Sequence, residues 1–73
     1  MNKGLEIELL PLDENHVRAK LTWREQDVGG SVLAVEVTVR NERIKPKADE
    51  RLKTDARALA VRLARAFADT IES

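Results

Sequence analysis

Cysteine is absent from this 73-residue sequence, which excludes disulfide frameworks, thiolate nucleophiles and cysteine-based metal sites. Histidine occurs once, as His16, so an imidazole cluster around a metal has no material to form from. Tyrosine is absent too, and Trp23 and Phe67 are the sole aromatics, which leaves little for stacking bases. Neither sign of charge prevails: 13 Lys and Arg balance 13 Asp and Glu, so there is no general electrostatic attraction to nucleic acid or to an anionic membrane. No apolar run approaches the roughly 20 residues of a membrane span, and Glu6 and Glu8 interrupt the stretch where a signal-peptide core would lie. We expect a soluble, cytoplasmic protein with no membrane partner.

The chain is short enough that residues 1–73 form one domain, near the lower limit for a self-sufficient core. Without disulfide or metal, such small cores often gain stability by self-association, and a homodimer is therefore an expectation from the outset.

Leu5, Ile7 and Leu9 alternate with Glu6, Glu8 and Leu10, the period of a strand with one buried face, and Pro11 assigns that strand to a sheet edge. After the turn residues Asp13-Glu14-Asn15, the apolar set Val17, Ala19, Leu21 and Trp23 alternates with Arg18, Lys20, Thr22 and Arg24. The segment from Glu25 to Ser31 carries Asp27 and Gly29-Gly30, turn chemistry suited to a reversal. Leu33, Val35, Val37 and Val39 then mark the inner face of a third strand, with Val32, Ala34, Glu36, Thr38 and Arg40 outside. Beyond the polar connector 41–45, Pro46 suits the first position of a helix, and Asp49 and Glu50 complement its dipole. Leu52, Ala56, Leu59, Leu63, Phe67 and Ile71 recur at helical steps to the end.

The reading is an α+β fold of order β-β-β-α: a three-stranded antiparallel meander with strands at about 5–12, 16–25 and 31–41, covered on one face by a helix at about 46–71. Consistent alternation pairs Leu21 with Ile7 and Val35 on the inner face, and Lys20 with Glu8 and Glu36 on the outer face, where opposite charges fix the register. Leu21, Val35, Leu59 and Leu63 should form the core, with Trp23 at one end of it.

No catalytic constellation emerges, and we expect no enzyme activity, cofactor or metal. Ser31 lies opposite Glu25, roughly 30 Å along the strand from His16, so a serine–histidine pair has no geometry in which to form. The acid pairs Glu6/Glu8 and Asp49/Glu50 are accounted for by a solvated sheet face and a helix N-terminus, not by the two sides of a cleft. Gly29-Gly30 is followed by neither a helix start nor a Lys-Ser/Thr element, which argues for a turn over a phosphate loop.

Two kinds of partner remain. The helix carries more apolar surface than one sheet contact needs: Val61, Ala64 and Ala68 widen its arc, Arg57 and Arg65 flank them, and Ala60, Ala64 and Ala68 form a small-residue strip. At about 1.5 Å per residue it also outruns strands of about 30 Å, leaving Phe67 and Ile71 without cover. A non-catalytic protein-interaction or regulatory module that dimerises through Arg57, Val61, Ala64, Arg65 and Ala68 follows from these features. The alternative is nucleic-acid binding by Arg18, Lys20, Arg24 and Arg40 on the outer sheet face. A three-stranded sheet backed by a helix resembles the architecture of integrase arm-binding and plant ethylene-response domains, and that resemblance implies a sheet laid in the major groove. It is one of architecture alone, with no motif residue matched. Glu6, Glu8 and Glu36 among the cations, and an outer face without aromatics, weigh against it.

Overall fold

The computed structural model describes residues 4–26 and 29–73. They form β1 (Leu5–Asp13), β2 (His16–Arg24) and β3 (Val32–Arg40) in one open sheet of order β1-β2-β3, followed by α1 (Asp49–Glu72). This is the expected antiparallel β-β-β-α arrangement, with strand limits within a residue of those read from the alternation. Leu21 stands between Ile7 and Val35, and Lys20 between Glu8 and Glu36. Asp13 Oδ1 accepts the Asn15 N–H at 2.8 Å and closes the first turn, and the register slips between Pro11 and Asp13. In the second connection Gly29 and Gly30 have φ of 118° and 56°, values that L side chains seldom adopt. Asp27, also assigned to that turn, lies outside the described residues.

The helix starts three residues later than its first proline suggests. Asn41 Oδ1 accepts the Lys47 N–H at 2.8 Å, which ties the connector back to the end of β3 and keeps residues 46–48 out of the helix. Ala48 is extended (φ −66°, ψ 153°) and its carbonyl accepts the first helical bond, from Leu52 N at 3.1 Å, so Ala48 is the N-cap and offers no side-chain acceptor.

The core consists of Ala19, Leu21, Val37, Val39, Leu52, Ala56 and Ala60, with Leu5, Ile7, Leu9, Val17, Val35 and Leu59 partly buried around it. Leu21, Val35 and Leu59 are together as expected. Leu63 is not in the core, being 49% exposed, and Trp23 is 42% exposed. Ala60, assigned to a free outer strip, is instead buried against the sheet. These departures have one cause. α1 runs back along β3, packing chiefly on β3 and less on β2, with small residues at the closest approach. The helix therefore sits towards one side of the sheet, and its C-terminal half reaches the end of the strands where, among the described residues, no further layer exists. The molecule is elongated, 45 × 28 × 19 Å, with a radius of gyration of 13.8 Å, against about 11 Å for a compact domain of this length.

Candidate interaction surface

The two ends of the sheet differ in chemistry. At one, the β1–β2 turn is laced to the connector before α1: Asn41 N–H donates to Asn15 O at 2.8 Å, Arg43 N–H to Asn15 Oδ1 at 3.4 Å, and the Arg43 guanidinium to Glu14 at 3.3 Å. His16 Nδ1 lies 2.9 Å from Asp13 Oδ1. The Asp13 carboxyl is held below its ordinary pKa, first by the Asn15 N–H and then by His16. Lys47 Nζ and Arg51 Nε reach Asp55 at 3.0 and 3.3 Å, and the Lys47 hydrogen bond is the main cause of the lowered Asp55 pKa. Leu10, Leu12 and Ile44 are the large apolar side chains exposed towards this end.

The other end is apolar. Trp23, Val32, Leu33, Val61, Leu63, Phe67 and Ile71 are all large and exposed, Phe67 at 54% and Ile71 at 63%. Trp23 and Leu33 lie beside the C-terminal half of α1, which itself carries Val61, Leu63, Phe67 and Ile71, while Val32 belongs to the outer sheet face. Towards the free edge of β3, Leu33, Val35, Leu63, Phe67, Ala68 and Ile71 line a groove of about 510 Å³. Towards β1, a second hollow of about 290 Å³ is lined by Leu5, Trp23, Arg57, Ala60, Val61 and Ala64, among others. The Nε of Arg57 is shielded there without a hydrogen-bond partner.

Of the five helix residues singled out from the sequence, Arg57 and Val61 border the β1-side hollow, Ala68 borders the β3-side groove and Ala64 borders both. Arg65 lies apart, beside Arg62, Ala66 and Asp69 above the outer edge of β3. The five thus span both flanks of the helix. Trp23 and Leu63, expected in the core, and Leu33, expected on the inner sheet face, belong to the same surface: strand alternation and the helical stripe give the side each residue faces, but not how far the helix covers the sheet.

Arg18, Lys20, Arg24 and Arg40 share the outer face as expected, but with carboxylates among them. Arg18 lies 3.6 Å from Glu36, Arg40 lies 3.0 Å from Glu42, and Lys20 stands between Glu8 and Glu36 in register. Among the described residues, no group of three His, Cys, Asp or Glu is placed to hold a metal ion, and no helix is long and apolar enough to cross a membrane. No protein-family model, curated protein or solved structure matches this chain.

Proposed function

We propose that this chain is a non-catalytic interaction module that binds protein, a second copy of itself included, through the apolar end formed by the C-terminal half of α1 and the adjoining ends of β2 and β3. The observation that carries this reading is the gathering of six exposed large apolar side chains, Trp23, Leu33, Val61, Leu63, Phe67 and Ile71, on the helix-bearing side of that end. Scattered single apolar residues are ordinary on a protein surface, whereas a contiguous patch marks a contact site. Nucleic-acid binding by the outer sheet face is the weaker reading, since carboxylates at 3.0 and 3.6 Å occupy two of its four cations and would meet phosphate with like charge.

Site-specific photocrosslinking in cells tests the choice of surface. With benzoylphenylalanine in place of Phe67, discrete protein adducts should form, and with the same group in place of Lys20 they should not. Adducts confined to position 20, or adducts to nucleic acid, would overturn the proposal.

A further inference from the structure

The two sheet edges are not equivalent. Glu25 N–H donates to Ser31 O at 2.8 Å and Asn41 N–H donates to Asn15 O at 2.8 Å, so the odd-numbered residues of β3 turn their backbone polar groups towards β2. By alternation, Val32, Ala34, Glu36, Thr38 and Arg40 turn theirs outward, to an edge with no neighbouring strand among the described residues. On the opposite edge the outward set is Leu5, Ile7, Leu9 and Pro11; Pro11 has no N–H to offer, and the register slip follows it. β3 has no such guard, and its first four residues, Val32 to Val35, are uncharged.

We infer that two copies of this chain join by antiparallel pairing of β3 with β3 across a two-fold axis at Val35, giving a continuous six-stranded sheet with the two α1 helices side by side on one face. The inference rests on the interaction reading above and names its partner and geometry.

Register follows from charge and packing. A two-fold at Glu36 sets Glu36 opposite itself, which like charge disfavours. A two-fold at Val37 leaves Leu33 opposite the polar Asn41. With the axis at Val35, Ala34 faces Glu36, Val32 faces Thr38, and Leu33 faces Val37, so every outward N–H and C=O from Val32 to Thr38 gains a ladder partner.

The helices fit the same arrangement. Each packs on β3 and less on β2; with strands about 4.8 Å apart, a helix midway between those strands would stand about 10 Å from its mate, and the bias towards β3 shortens that separation towards the lower part of the usual 8–10 Å packing range. Leu63 borders Val35 and so comes near the axis, and Phe67 of one copy meets the groove beside Leu59 and Val37 of the other. Area agrees as well. The chain exposes 5885 Å², while a folded monomer of its mass exposes about 4,500 Å². The surplus exceeds the roughly 800 Å² per partner of a standard stable interface.

Sedimentation and light scattering from micromolar to near-millimolar concentration should give twice the chain mass, and a monomer throughout would overturn the inference. Ala34→Pro removes one outward N–H without touching the β2 ladder and should return the mass to that of one chain, whereas Val61→Glu, on the far flank of the helix, should leave the dimer intact. A dimer that survives Ala34→Pro and is dissolved by Val61→Glu would place the contact on the β1 side of α1. Amide exchange on the wild type serves should Ala34→Pro fail to fold: the Ala34 and Glu36 amides should be protected like those of Val35 and Val37, and rapid exchange at both counts against pairing. Because the chain has no cysteine, Val35→Cys should give a disulfide-linked dimer on oxidation and Val37→Cys should not; the reverse result refutes the register. If the chain is monomeric yet Phe67 photocrosslinks to another protein, the interaction reading stands and this inference falls.

Discussion

Ala56 is fully shielded, and with Leu52 and Ala60 it forms the row on which α1 rests. A methyl group at the centre of that row lets the helix backbone come close to the sheet, so both loss and gain of volume here are costly. Leu52→Ala should cost about 2–5 kcal/mol, and Ala56→Leu, an overpacking change, about 1–3 kcal/mol, both read from denaturant midpoints. Losses under about 1 kcal/mol at both positions would show that the helix rests on a different row. Asp55, held by Lys47 and Arg51, gives a pH signature of known sign. Its pKa is lower in the folded chain than in the unfolded one, so the unfolded chain takes up the proton first as pH falls. The stabilisation is present above the ordinary Asp range and is lost as pH falls through the folded value. The gap in melting temperature between the wild type and Asp55→Asn should therefore be open at pH 6 and shrink towards pH 2; a gap independent of pH would show that the pair does not couple to folding.

At the scale of elements, the N-terminus of α1 is its weakest feature, because Ala48 holds the cap geometry without a cap side chain. Ala48→Asp should stabilise the chain by about 0.5–2 kcal/mol through a hydrogen bond to the first-turn amides and a favourable sign against the dipole, measured by urea unfolding. The strands were the most legible part of the sequence. Period-two alternation runs through all nine residues of β2, from Leu5 to Leu9 in β1 and from Val35 to Arg40 in β3, and it sets Lys20 between Glu8 and Glu36 in the register observed. The helix was legible in phase but not in placement. A 3.6-residue stripe tells which side of a helix faces inward, but it does not tell over which strand the helix lies or where the layer beneath it ends. That is why Trp23 and Leu63 read as core, and why Ala60 read as free: stepping by four residues turns about 40° round the helix, and the small side chains that look like surplus arc are those at the point of closest approach. Pro46 misled because its fit to a first helical turn is local, while the bond from Lys47 to Asn41 that delays the helix joins two segments of the chain.

For the molecule as a whole, balanced charge predicts weak affinity for polyanions. Fluorescence anisotropy with duplex DNA or RNA at physiological salt should show no submicromolar binding; such binding, lost when Arg18 and Arg24 become Glu, would move the functional surface to the outer sheet face. The inequality of the two sheet edges has a different consequence. Strand pairing can be thought of as bonding with a valence: a sheet with two free edges has valence two and grows into an open chain, whereas one guarded edge reduces the valence to one and stops growth at a closed pair. Pro11 and the slip beside it are the guard on β1. Pro11→Thr should raise the valence, and the expected product is a filament seen by thioflavin fluorescence and electron microscopy under conditions that leave the parent chain in solution. On this view a single imino acid far from the apolar end sets the difference between a finite assembly and a polymer.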